Sequence, residues 1–148
     1  MISIRTANPT DHAKILEAYA AWGYGGGLSP SDTVFLAFQD SELIGLVRMV
    51  PESGALVLRG MYMSPTYQRH GIGTQLLHAA MAWLGEQECY CLPHIHLVGF
   101  YSQVGFRVYT LGATTIRIAS TCGESVCVTR YCTRTHLINP FGRSVAEP

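Results

Sequence analysis

The segment from Leu58 to Thr74 reads Leu-Arg-Gly-Met-Tyr-Met-Ser-Pro-Thr-Tyr-Gln-Arg-His-Gly-Ile-Gly-Thr, and it holds the residues best suited to chemistry. A β-rich run gives way to a turn and then to Gln68-Arg69-His70-Gly71-Ile72-Gly73-Thr74, at the head of a strongly periodic helix. The first amides of an α-helix have no partners inside the helix, and the summed peptide dipoles leave that end partly positive. Backbone N–H groups there can cradle a phosphate, and glycine at 71 and 73 lets the anion approach with no Cβ in the way. A two-glycine turn also occurs at helix starts for packing alone, so the specificity comes from the strand before it and the long amphipathic helix after it. Other phosphate loops fit less well: the segment has no Gly-Lys-Ser/Thr ending and no three-glycine dinucleotide fingerprint.

The pattern Gln68-Arg69-His70-Gly71-Ile72-Gly73 resembles the pyrophosphate loop of the GCN5-related N-acetyltransferase family: Gln or Arg, two residues, Gly, one residue, then Gly or Ala. Downstream, Phe100-Tyr101-Ser102-Gln103-Val104-Gly105-Phe106 resembles a second family element, an aromatic pair followed by Gly-Phe. The resemblance is strong from about Leu43 to Val108, compatible in element order before that, and weak after Thr110.

The resemblance implies an α/β (α+β) fold: a mixed, mainly antiparallel, twisted sheet flanked by helices and splayed between its fourth and fifth strands. It implies acetyl-CoA as co-substrate, with the pyrophosphate on Gln68, Arg69, His70, Gly71, Ile72, Gly73 and Thr74. The pantetheine arm would lie as a pseudo-strand against the backbone of Met61, Tyr62 and Met63, whose unpaired donors and acceptors its amides satisfy. The implied reaction is acetyl transfer to a primary amine of a small molecule or peptide, by direct attack on the thioester. That chemistry needs an oxyanion donor, here a backbone N–H near Met61 to Met63, and an acid for the departing sulfur. Tyr101 aligns with the family's frequent general acid, and packing is its alternative reading. His94 stands where the family often has an Asn that bonds pantetheine; it could also relay a proton for the acceptor, or cap or decorate the surface. Some relatives use a Glu on the fourth strand as base, whereas Ala55 to Met63 has Arg59 and no carboxylate. A catalytically silent acyl-CoA-binding sensor is therefore the alternative function. Tyr24, Asp32 and Tyr67 are candidates for the acceptor pocket, while Phe100 and Phe106 read as packing and Gly105 as a left-handed helix end.

These residues need elements to place them. Ile2 and Ile4 alternate as a first strand, Pro9-Thr10-Asp11 supplies a turn and cap, and Ile15, Tyr19 and Trp22 share one face of a first helix. A glycine-rich loop, Gly23-Tyr24-Gly25-Gly26-Gly27, extends through Ser29-Pro30-Ser31-Asp32. Thr33 to Gln39, Leu43 to Val50 and Ala55 to Met63 read as an antiparallel meander. The helix predicted from Gly71 to Glu88 carries Ile72, Leu76, Ala80 and Trp83 or Leu84 at helical spacing. A short strand around Tyr90 to Leu92, a helix from about Ile95 to Val104, and β-rich segments at Phe106 to Thr110 and Ser125 to Tyr131 complete the order βαβββαβαββ.

The 148 residues, 48% of them apolar, suffice for one domain with a real core, ending in an irregular tail from about residue 136. Basic and acidic residues balance at ten each with no dense basic run, which argues against nucleic acid as a partner. No basic segment followed by a long apolar one opens the chain, and no apolar stretch approaches a membrane span, so a cytoplasmic protein without a membrane partner is expected. The cysteines, Cys89, Cys91, Cys122, Cys127 and Cys132, are odd in number and read as reduced thiols. No metal is expected, although Cys89 and Cys91 precede His94 and His96, because free cysteine is ordinarily a small buried hydrophobe. The last strands often carry a dimer contact in the family, which makes a homodimer an open possibility.

Overall fold

The computed structural model describes residues 1–108 and, beyond them, the backbone of the short strands given below. The strands form a mixed, mainly antiparallel sheet flanked by helices, the class implied by the resemblance. The chain falls into two compact units, Met1–Val50 with Leu58–Gly85, and Pro51–Val57 with Glu86–Pro148.

In the first unit the strands lie in the order β1 (Ile2–Thr6), β2 (Thr33–Gln39), β3 (Glu42–Glu52) and β4 (Ala55–Met63). β1 runs antiparallel to β2 with Ile4 opposite Ala37, and β2 antiparallel to β3 with Phe35 opposite Val47. β2 has five consecutive buried residues, Val34 to Phe38, where a half-exposed strand would alternate. Helices on both faces are the cause. α1 (His12–Ala21) packs Ile15 and Tyr19 on Val34, Leu36, Phe38 and Leu46, with Trp22 at the edge of the cluster. On the other face α2 (Ile72–Leu84) buries Ile72, Leu76, Leu77, Ala80, Met81 and Leu84, and its Trp83 meets Phe35 edge-on at 6.0 Å. Of the two residues that could continue the helical face, Leu84 is buried at 1% exposure while Trp83 stays 44% exposed. The helix stops before the expected Glu88: Gly85, at φ 62°, closes its N–H on the Met81 carbonyl, and Glu86 to Glu88 lie beyond.

The start of α1 is fixed by charge. Asn8 and Asp11 form a reciprocal capping box around a 3₁₀ turn, Pro9–Asp11: the Asn8 side chain accepts from the Thr10 N–H at 2.9 Å, and Asp11 accepts from the Asn8 N–H at 2.8 Å. Arg5 donates to both Asp11 oxygens at 2.7 and 2.8 Å. The Arg5 hydrogen bonds, aided by the Asn8 amide, hold the Asp11 carboxyl at about 2, against the opposing effect of burial. A depressed carboxylate contributes stability that is fully present above its unfolded value near 4 and disappears as pH falls toward 2. Because Arg5 is 44% exposed, we discount the contribution to about 1 kcal/mol. Asp11→Asn is expected to lower the urea midpoint at pH 7 and to match the parent near pH 2. A deficit that persists unchanged at pH 2 would assign the effect to packing.

The second unit opens on the β3–β4 hairpin tip, where Ser53 and Gly54 both have positive φ, 49° and 84°, as a two-residue hairpin turn requires. β5 (Cys89–Cys91) lies parallel to the beginning of β4, with Tyr90 packed on Ala55 and Leu92. β11 (Val128–Arg130) runs antiparallel to β5, Thr129 opposite Tyr90, and β6 (Arg107–Val108) antiparallel to β11. The helix expected from Ile95 to Val104 is a 3₁₀ turn, Ile95–Leu97, followed by a short α3, Val98–Ser102. Gly105 follows it at φ 92°, left-handed as expected. Two hairpins pair β7 (Thr110–Leu111) with β8 (Thr114–Thr115) and β9 (Arg117–Ser120) with β10 (Gly123–Val126). The single strand expected from Ser125 to Tyr131 is thus divided: β10 pairs with β9, and β11 with β5 and β6. β-propensity reports that a segment is strand-like and not which neighbour it takes. Tyr131, Cys122, Cys127, Cys132 and the tail from 136 lie outside the described residues.

Candidate active site

The glycine loop forms where β4 hands over to α2. The Ser64 N–H bonds the Ile44 carbonyl at 2.8 Å, so β4 stays paired to β3 until the loop begins. After a 3₁₀ turn, Pro65–Tyr67, the backbone reverses through two positive-φ residues, Arg69 at 63° and Gly71 at 76°. Gly71 is the N-cap of α2, no side chain caps the helix, and its first turn carries no acidic residue. A Cβ placed on Gly71 would meet nothing within 4 Å, so the space beside the helix start is open. Unpartnered N–H groups, a positive helix end and open room suit an anion such as pyrophosphate.

The proposed cofactor residues divide by role. Gln68, Arg69, His70 and Gly71 are exposed, and Gln68 Nε2 ties back to the Met63 carbonyl at 3.3 Å. Met61, Tyr62, Met63, Gly73 and Thr74 are half-buried. Ile72 is 4% exposed, so its side chain anchors the helix in the core and only its amide can face a ligand.

Gly60, the residue before Met61 on β4, joins a part-buried polar network around Tyr19 and Arg48. Gly60, inside β4, has φ 57°, and its carbonyl accepts from the Tyr19 hydroxyl at 2.8 Å. Arg48 on β3, 4% exposed, pairs with Asp32 at 2.6 Å, donates to the Tyr24 hydroxyl at 2.8 Å and to the Gly27 carbonyl, and lies over the rings of Tyr19 and Tyr24. Tyr62 completes an aromatic group with centroids 5.0 Å from Tyr24 and 6.1 Å from Tyr19. Burial raises the ionisation of the Tyr19 hydroxyl well above the ordinary tyrosine value, so it remains a donor at any working pH. Two of the three acceptor-pocket candidates, Tyr24 and Asp32, therefore meet through one arginine. The third, Tyr67, is elsewhere, bonding Glu42 at 3.2 Å. A signal for Arg48 was present: a lone charge within Leu46-Val47-Arg48-Met49, a run too apolar for an unpaired cation.

In the second unit Tyr101 is 5% exposed, edge-on to Phe100 at 5.1 Å and to Phe106 at 5.8 Å. Phe106, buried at 2%, fits its reading as packing. Burial foremost, and then the neighbouring Cys91 to which it is hydrogen-bonded, raises the Tyr101 hydroxyl far above its usual range. His94 stacks on His96 with centroids 5.7 Å apart, and its backbone carbonyl, not its ring, accepts from the Leu97 N–H at 2.8 Å. Capping by the imidazole is thereby set aside. Cys89 and Cys91 are buried, and neither is joined in a disulfide to another described residue. Among the described residues no cluster of three or more His, Cys, Asp or Glu side chains could hold a metal, and no helix is long and apolar enough to cross a membrane.

The family model described as an acetyltransferase (GNAT) domain matches residues 30–108, more than half of the 148-residue chain. Comparison with curated proteins finds no match. Among solved structures, ElaA of Escherichia coli is similar at 17% identity and a TM-score of 0.70, over 88% of this chain and 99% of that one. The PaiA N-acetyltransferase of Thermoplasma acidophilum, solved with coenzyme A, is similar at 21% identity and TM-score 0.62, covering 88% and 99%. A GNAT-family acetyltransferase of Elizabethkingia anophelis with acetyl-CoA bound gives 16% and 0.59, covering 88% and 97%. At such identities the structural likenesses speak for the fold, and the family model supplies the rest: this chain belongs to the GNAT acetyltransferase family.

Proposed function

We propose that this protein binds acetyl-CoA and transfers its acetyl group to a primary amine of a small molecule or peptide. The observation that carries this reading is the open, left-handed Gly71 at the head of α2, a helix start with no side-chain cap. The CoA and acetyl-CoA held by the two similar proteins named above support it. The pyrophosphate is assigned to the amides of Gly71 to Thr74 with the side chains of Gln68, Arg69 and His70, and the pantetheine to the backbone of Met61, Tyr62 and Met63. The amine lone pair attacks the thioester carbon, and a C–N bond forms as the carbonyl oxygen gains charge. Collapse then breaks the C–S bond, the nitrogen loses a proton, and the sulfur leaves with the electron pair and takes a proton. A backbone N–H of Met61 to Met63 is assigned to the oxygen and the Tyr101 hydroxyl to the sulfur. His94 is assigned to the pantetheine or to the acceptor's proton.

Calorimetric titration with acetyl-CoA, with dephospho-CoA and NAD as controls, tests the first half. Saturable binding of acetyl-CoA is expected, and its absence would leave the fold without this function. For the second half, Tyr101→Phe is expected to slow thiol release with a turned-over amine about 100-fold while acetyl-CoA affinity stays put. An unchanged rate and pH profile would make Tyr101 a packing residue. The absence of a carboxylate from Ala55 to Met63 favours a second reading, an acyl-CoA sensor without turnover. Tight binding with no thiol release across a broad amine panel would select it.

A further inference from the structure

We infer that Tyr19 and Arg48 are positioning residues for the thioester carbonyl, acting through the kink at Gly60; this rests on the acetyl-CoA reading of β4. A strand keeps its peptide groups in alternating register, and a left-handed residue breaks that alternation and re-aims the amides that follow. Gly60, at φ 57°, is the positive-φ residue within β4, and the amides after it are those of Met61, Tyr62 and Met63.

Two side chains occupy the space at that kink. A Cβ on Gly60 would stand 2.3 Å from the Tyr19 hydroxyl oxygen and 3.1 Å from Arg48 Nε. The Tyr19 hydroxyl bonds the Gly60 carbonyl at 2.8 Å, from a ring that is itself 2% exposed. Packing alone would be served by phenylalanine; the hydroxyl adds one directed bond, 41 positions along the chain, to the residue whose dihedral sets the amide direction. Arg48 presses on the same ring from β3, its guanidinium 5.7 Å from the Tyr19 centroid, and is fixed in turn by Asp32 and Tyr24 of the glycine-rich loop. The kink is thus held from α1 by the Tyr19 hydrogen bond, the clamped cation of β3 lies over the ring that makes that bond, and the loop between α1 and β2 is tied to the same cation.

Isotope-edited infrared difference spectroscopy of bound acetyl-CoA, labelled with 13C at the thioester carbonyl, reads the aim of those amides directly. In the parent protein the bound carbonyl band is expected at lower frequency than in free acetyl-CoA, because the amides polarise it. Tyr19→Phe is expected to lose about half or more of that displacement, with acetyl-CoA affinity altered less than about threefold. A displacement equal to the parent's would reduce Tyr19 to core packing and overturn the inference, as would a parent band with no displacement. Should the parent fail to bind acetyl-CoA, the proposed function falls first. If Tyr19→Phe does not fold, Arg48→Lys decides, because it keeps the charge beside Asp32 but not the planar guanidinium; an unmoved band there overturns the inference equally.

Discussion

Gly71→Asp is expected to weaken acetyl-CoA binding about 100-fold, the largest effect on affinity from any single change at the loop. Two causes act together. The new side chain enters space that is empty within 4 Å and that the pyrophosphate would fill. Its carboxylate also brings a negative charge to within a few ångströms of the phosphates at a helix end that otherwise attracts them. Aspartate is among the side chains that tolerate a positive φ, so the strain at φ 76° stays near 1 kcal/mol and the fold is expected to survive. Gly71→Asn separates the causes, since it is nearly isosteric and uncharged: a loss much smaller than that of the aspartate assigns the difference to charge. Calorimetric affinities with melting curves on both variants check the expectation. Unchanged affinity in Gly71→Asp would remove the phosphate site from α2.

The largest effect on stability is expected at Arg48. Its pair with Asp32 is nearly sealed from solvent, with side-chain exposures of 5% and 1%. Desolvation makes such a pair of uncertain net value, whereas removing one partner strands the other charge in the interior, at about 3–5 kcal/mol. Arg48→Met is therefore expected to destabilise by that amount and to lower the melting temperature by roughly 10 °C. Arg48 Nε and Asp32 Oδ1 already have no hydrogen-bond partner, so the pair stands incompletely satisfied. An apolar replacement of both residues, Arg48→Met with Asp32→Leu, is accordingly expected to recover most of the loss. Urea denaturation of the two single variants and the double variant measures the coupling. Single-variant losses below about 1 kcal/mol would place the pair with exposed salt bridges instead.

What the sequence determined by itself was local. The phosphate loop was legible because its signals lie within a few residues: a β-rich run, the spacing Gln68 to Gly73, and a helix with Ile72, Leu76 and Ala80 on one face. The three-strand meander was legible for the same reason, because Asp40-Ser41-Glu42 and Pro51-Glu52-Ser53-Gly54 are short links between β-rich runs. Family resemblance extended this to a fold class. Tertiary structure decided what depends on partners far along the chain. Tyr19 reaches Gly60 across 41 positions, Arg48 reaches Tyr24 and Asp32 across 24 and 16, and no spacing rule connects such residues in advance. The pleat gives a strand position its face, but only the packed helix and loop above that face determine whether a charge there meets water or a carboxylate. The same reason separates Tyr101 as a motif residue from Tyr101 as a buried hydroxyl beside Cys91: the motif gave its position, and the packing of α3 on its strands gave its environment.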